Sequence, residues 1–302
     1  MAQRDKDTRW YHEMSASEQV QFQKDFDRTE SMPENLLPPD HGSGLEDNLS
    51  AGVRCWQKLL QEDSPFYLAR IGDCELTVLG RGYFPGSPHK PDMTGEYWRC
   101  GFGRDFILHR SELIEAFRDA HLLGVQENWL PWRKITIDIL AALGFSIPYP
   151  RAVDVHLPYQ LLVDGSLFHF LQGKKVLLVG GLAQPLAEAW WRTDFLSSHA
   201  RFGPLHRITS ISAVPMSDRQ ADQGGAWRDL DRVTAEIERM DFDVALIAAA
   251  VPAKILAKRI WSMGKTALDV GFVFDALLGI APGERALRPC FRDVKDWPVK
   301  TW

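Results

Sequence analysis

Two short runs, Val176-Leu-Leu-Val-Gly180 and Val244-Ala-Leu-Ile-Ala-Ala249, are apolar throughout rather than at alternate positions. A strand with one face in water alternates apolar and polar residues, so an unbroken run marks a strand buried on both faces, as in a parallel sheet between two helical layers. Similar runs are predicted as strands at Phe66–Ile71, Leu122–Val125, Ala152–His156, Lys175–Gly180, Ile208–Val214, Asp243–Ala249 and Thr266–Val270, with longer helical patterns between them. This alternation predicts an α/β fold on an open, doubly wound, mostly parallel sheet.

Composition narrows the partners. At 302 residues and 45% hydrophobic content the chain can bury a sizeable core. A net charge of −5 gives no basic surplus for neutralising phosphates, so no nucleic acid is evident as a partner. Cys55, Cys74, Cys100 and Cys290 form no C-x-x-C pair and suggest neither a zinc cluster nor a disulfide framework. No apolar run approaches the roughly 20 residues of a membrane span, and the polar N-terminus has no apolar leader core. A cytoplasmic protein with no membrane span is expected.

The first 50 residues differ from the rest. A capping box at Ser15-Ala-Ser-Glu18 starts a short predicted helix carrying Val20, Phe22 and Phe26, and the stretch MPENLLPPDHGSG reads as a linker. This arm is a candidate for wrapping the domain or for pairing two copies. The expected division is an arm over 1–50, an α/β domain over 51–280 and a tail over 281–302.

Open parallel sheets bind ligands beyond the carboxyl ends of their strands. There the first strand runs into Arg70-Ile-Gly-Asp-Cys-Glu75, with two carboxylates one residue apart. Two readings fit Asp73 and Glu75. Carboxylate pairs at such turns hold Mg²⁺ or Mn²⁺ on a nucleotide's phosphates. Alternatively, Asp73 is a helix N-cap and Glu75 favours the helix dipole, although position 76 is Leu and the capping box is incomplete.

Arg70-Ile-Gly-Asp-Cys-Glu75 resembles the Arg-x-Gly-Asp-Gly-Glu signature of the GT-D-type glycosyltransferases. Leu246–Ala257 with Met263–Gly271 is similar to that family's last strand, helix and strand, and Lys174–Gly181 resembles an intervening strand and glycine turn. The likeness spans roughly residues 65–279. It implies a Rossmann-like catalytic domain that moves a sugar, of hexosyl type and from a UDP-sugar or other nucleoside-diphosphate sugar, to a glycan or glycoconjugate acceptor. By position it makes Asp73 and Glu75 the ligands of Mn²⁺ or Mg²⁺ and catalytic residues. Arg70, Gly72, Gly180, Gly181 and Gly271 become donor-binding residues. Lys254 is a candidate for a phosphate contact and Asp269 for a ribose hydroxyl, against solvated-lysine and structural-capping readings.

Several positions depart from the pattern. Cys74 stands at a usual glycine, Ala250 and Pro252 replace Gly and Thr, and Phe272 and Phe274 occupy the places of a histidine and an acid. Asp275, shifted by one, is the candidate to replace that acid. Beside the resemblance, Gln126, Glu127 and Asn128 follow a predicted strand and suit hydroxyl recognition or, for Glu127, acid/base work, while Trp129 and Trp132 suit either sugar stacking or a core or loop anchor. Asp154 and His156 fall on one face of a strand end, as an acid/base couple or as a structural pair. The glycine- and proline-rich Gly80–Pro91 has the composition of a surface loop and is a candidate lid.

Competing readings are weaker. A dinucleotide oxidoreductase is disfavoured because Gly180-Gly-Leu-Ala-Gln-Pro185 lacks G-x-G-x-x-G. A methyltransferase shares only the fold class. A non-catalytic nucleotide-sugar-binding relative, acting as scaffold or regulator, is the alternative from a different class.

Overall fold

The computed structural model describes residues 45–72, 75, 104–125, 152–216 and 228–280. The predicted helix at Ser15, the linker, Asp73, Cys74, the Gly80–Pro91 loop, Gln126–Trp132 and the tail lie outside the described residues.

Seven strands form one sheet: β1 (Tyr67–Arg70), β2 (Leu122–Val125), β3 (Ala152–Asp154), β4 (Lys175–Gly180), β5 (Ser210–Pro215), β6 (Val244–Ala248) and β7 (Thr266–Asp269). Each lies within two residues of its predicted run. Every pairing is parallel, in the order β3-β2-β1-β7-β6-β4-β5. Strand β4 leads to β5 on one side and β6 leads to β7 on the other, so the winding direction reverses between β4 and β6.

Unbroken apolar runs give each strand two buried faces. Leu177, Val179, Ala245 and Ile247 enter one core, while Val176, Leu178, Val244 and Leu246 enter the other. The first core is closed by helices α2 (Arg104–Arg118), α7 (Leu230–Ile237) and α8 (Pro252–Ser262). The second is closed by α1 (Leu45–Gln61), α3 (Leu157–Val163), α4 (Ser166–Phe170), α5 (Ala183–Trp190), α6 (Thr193–His199) and α9 (Val273–Leu277). Helix α1 runs across position 50, where the arm was expected to end.

The helix that matters most for the site is α8. Pro252 stands in its first turn, where a missing N–H costs no hydrogen bond, and the residues Ala253 to Ala257 are all buried. Its far end is fixed by Arg259, whose guanidinium forks onto both oxygens of Glu112 on α2 at 2.6 and 2.9 Å and reaches Asp231 on α7 at 2.8 Å. Three helices on one face of the sheet are thereby held in register, and the first turn of α8 is aimed at the carboxyl ends of β1 and β7.

Candidate active site

Four charged side chains converge beyond the ends of β1, β6 and β7. Arg70 is the last residue of β1, Asp269 the last of β7, Lys254 lies in the first turn of α8, and Glu75 follows β1. Lys254 Nζ lies 2.6 Å from Glu75 Oε1 and 3.2 Å from Asp269 Oδ2, and donates to the Ala250 carbonyl at 2.9 Å. Arg70 Nη2 donates to Asp269 Oδ1 at 3.3 Å. Glu75 and Lys254 are each 3% exposed and Asp269 1%, while Arg70 is partly exposed at the edge of the network.

Local backbone geometry sets these positions. The turn from β6 into α8 passes through Ala250 at φ +49°, a left-handed conformation unusual for a residue with a Cβ. It presents the Ala250 carbonyl to Lys254. Gly72 N–H donates to Glu75 Oε2 at 2.8 Å and closes the turn after β1 around the carboxylate. Gly271 N–H donates to Asp269 Oδ1 at 3.2 Å. Gly271 itself is at φ +55°, and a Cβ there would overlap the Arg70 guanidinium.

Tyr159, on α3, ties the second core to the network. Its hydroxyl accepts from Arg70 Nη1 at 3.4 Å and from Phe272 N–H at 3.0 Å, and Arg70 lies 5.7 Å from its ring centre. Arg70 also donates to the Val155 carbonyl at 3.3 Å. Burial pulls the Arg70 guanidinium toward neutrality, but Asp269, Tyr159 and Glu75 overcome it and raise its pKa, so the group is a fixed positive charge.

Two cations facing two carboxylates compensate each other, which is the condition for burying charge at tolerable cost. Compensation is incomplete at two atoms: Arg70 Nε and Asp269 Oδ2 are buried without a hydrogen bond. The Lys254–Asp269 approach at 3.2 Å is therefore a charge contact and not an aligned hydrogen bond. An orphaned donor and an orphaned acceptor in one cluster match a ligand that offers both an anionic oxygen and a hydroxyl.

A second polar pair lies next to it. His156 Nδ1 is 2.9 Å from Asp154 Oδ1, which also accepts from the His156 backbone N–H at 2.6 Å. A carboxylate at Nδ1 favours the tautomer with its proton there, leaving Nε2 as the basic nitrogen. Both residues are buried, and the His156 ring lies 6.0 Å from that of Tyr159.

Of the residues singled out in the sequence, Arg70, Gly72, Glu75, Lys254, Asp269 and Gly271 are brought together. Gly180 ends β4 at φ +147°, with the Ala248 carbonyl where its Cβ would stand, and Gly181 follows it at the surface. These two mark the point where the winding reverses, on the β6 side of the cluster. Asp275 lies in the first turn of α9, and its carbonyl accepts from Ile280 N–H. Phe274 is fully buried in the second core and is a packing position. Asp73 and Glu127 lie outside the described residues. Sequence reasoning missed Tyr159, which reads only as an apolar position on a short helix.

The chain belongs to the GT-D fold-like domain family, whose model matches residues 50–277. Similar solved structures include a selenomethionine-substituted domain of unknown function 1792, 14% identical over 77% of this chain and 78% of that one, with a TM-score of 0.49. Another is described as a new glycosyltransferase of the same domain type from Streptococcus sanguinis, 13% identical over 78% of this chain and 82% of that one, with a TM-score of 0.47. No curated protein matches the chain.

Proposed function

We propose that the chain is a glycosyltransferase that moves a sugar from a nucleoside-diphosphate sugar to a glycan or glycoconjugate acceptor, and that it works in the cytoplasm. The observation that carries this reading is the buried network of Arg70, Lys254, Glu75 and Asp269 at the carboxyl ends of β1, β6 and β7, inside a GT-D fold-like domain. In such a reaction the bond from the anomeric carbon to the diphosphate oxygen breaks as an acceptor oxygen attacks, and negative charge gathers on the departing diphosphate. Fixed cations placed there stabilise it without reorganising during the step. Arg70 and Lys254 supply those cations, and Asp269 Oδ2 supplies an acceptor for a donor hydroxyl. His156, oriented by Asp154, is the candidate base for the acceptor proton, with Glu127 and Asp275 as the other candidates. A UDP-sugar of hexosyl type is the donor to try first.

The metal is the part of the expectation that the geometry disfavours. Asp73 and Glu75 carry the hard oxygens that suit Mn²⁺ or Mg²⁺. Among the described residues, however, Glu75 does not fit such an ion, because Lys254 Nζ lies 2.6 Å from one oxygen and Gly72 N–H bonds the other at 2.8 Å. An ion at Glu75 would share that carboxylate with the ammonium, and the two cations would repel.

A thermal-shift panel of UDP-, GDP-, ADP- and dTDP-sugars tests the reading. A ligand at about 100 times its Kd adds about 2.7 kcal/mol to stability. Stabilisation by one nucleotide sugar and not by NAD or S-adenosylmethionine supports a transferase; the reverse selectivity defeats it. A donor that binds without sugar release under any acceptor condition would indicate the scaffold alternative.

A further inference from the structure

We infer that Lys254 is the resident cation of this site, its ammonium standing where a divalent ion would otherwise sit, so that nucleoside-diphosphate binding needs neither Mn²⁺ nor Mg²⁺. The inference rests on the transferase reading and sharpens its chemistry.

The ammonium is set in a cage of oxygens of the hard type that cations of this class prefer. Glu75 Oε1 lies at 2.6 Å, the Ala250 carbonyl at 2.9 Å and Asp269 Oδ2 at 3.2 Å. An ammonium has three N–H donors. One is donated to the Ala250 carbonyl. Glu75 Oε1 and Asp269 Oδ2 face the ammonium as charge contacts and not as aligned hydrogen bonds. Donor capacity thus remains for a phosphate oxygen, as it does at the unmet Nε–H of Arg70.

Burial makes the arrangement committed rather than incidental. Lys254 is 3% exposed, its stem enclosed with neighbours Ala253, Ile255, Leu256 and Ala257 in α8. Moving its charge elsewhere would take from the buried Glu75 the cation at 2.6 Å and leave Asp269 to Arg70, and a helix lysine in solvent would have no reason to be held this way. The left-handed turn at Ala250 adds a backbone ligand to the cage at φ +49°. Glu75 therefore acts as a positioning residue, holding Lys254 with one oxygen and the Gly72 turn with the other.

The test uses the full chain and two readouts. In the first, Mn²⁺ is titrated with wild-type protein and free ion is followed by electron paramagnetic resonance. No stoichiometric loss of the free signal is expected; uptake of one Mn²⁺ per protein overturns the inference. In the second, UDP, GDP, ADP and dTDP are titrated calorimetrically in EDTA and in Mn²⁺. Binding in EDTA, within about twofold of that in Mn²⁺ and weakened at least about tenfold in Lys254→Met, supports it, a charge-assisted hydrogen bond being at stake. Binding that requires Mn²⁺ overturns the inference while leaving the transferase reading intact. Binding of none of the four in either condition removes both. Should Lys254→Met fail to fold, Lys254→Arg keeps the charge and is expected to retain EDTA-resistant binding, and its conversion to Mn²⁺-dependent binding would count against the inference.

Discussion

The Arg70 guanidinium lies across the α-carbon of Gly271, where a Cβ would overlap it and would also come within 2.7 Å of the Tyr159 hydroxyl. Gly271 is thus fixed twice, by its left-handed backbone at φ +55° and by the close approach of the Arg70 guanidinium. Replacing it with alanine adds about 1–2 kcal/mol of backbone strain and about 1–3 kcal/mol of overpacking. Gly271→Ala is expected to lose about 2–5 kcal/mol in urea unfolding, by the same two contributions. A variant within about 0.5 kcal/mol of wild type, the range of an ordinary surface change, would contradict this packing.

Lys254 and Glu75 are expected to show strong coupling. Removing one member of a buried ion pair costs about 3–5 kcal/mol because the other charge is left uncompensated. Lys254→Met and Glu75→Gln should each destabilise substantially, and the double variant by clearly less than their sum. A double-mutant cycle by chemical denaturation reads this directly. Additive losses would mean that the 2.6 Å pair does not persist in solution.

Ala250 carries a strain that glycine would release. Its φ of +49° costs a residue with a Cβ about 1–2 kcal/mol, partly offset by the extra freedom glycine has when unfolded, about 0.5–1 kcal/mol. Ala250→Gly is therefore expected to stabilise by about 0.5–1 kcal/mol, on the same two quantities, and to keep the carbonyl that accepts from Lys254. Ala250→Val should do the opposite, β-branching being least tolerated there. A destabilised glycine variant in thermal unfolding would count against the left-handed turn.

The sheet was legible in the sequence to a degree that the site was not. Val176–Gly180 and Val244–Ala249 announce themselves because both faces of a parallel strand must be apolar, and this needs no knowledge of partners. Arg70, Gly72 and Glu75 were found through a motif, and Lys254, Asp269 and Gly271 through a second. What the motif did not contain was who faces whom. Lys254 reads equally well as a solvated helix lysine, since nothing local says that the first turn of α8 points inward. The burial of Ala253 to Ala257 against the sheet holds that turn, and at the helix's other end Arg259 grips Glu112 from 147 positions away in sequence. Tyr159 was invisible for the same reason: its hydroxyl meets Arg70 across 89 positions. Phe272 and Phe274 were visible as departures from the pattern the resemblance implies, and Phe274 packs in the second core.

Acid should loosen the face that carries α8. Burial tends to raise the Glu112 carboxyl, but hydrogen bonds and charge from Arg259, helped by His109, hold it below the ordinary glutamate value. A depressed carboxylate contributes stability that is present above its unfolded value of about 4.3 and is lost as pH falls through the folded one. Thermal unfolding followed downward from pH 7 should show a loss below that value, and Glu112→Gln should have a shallower acid limb. Parallel acid limbs would mean that the Arg259 fork is not kept in solution.

Release of nucleoside diphosphate from a donor panel, measured with wild type, Lys254→Met and His156→Ala, tests the transferase reading most directly. Wild type is expected to release it from at least one nucleoside-diphosphate sugar, Lys254→Met to lose that turnover, and His156→Ala to fall by about 10²–10⁴-fold, the usual share of a general base. Failure of wild type to release nucleotide from any donor, with the fold instead stabilised by NAD or S-adenosylmethionine, would contradict it.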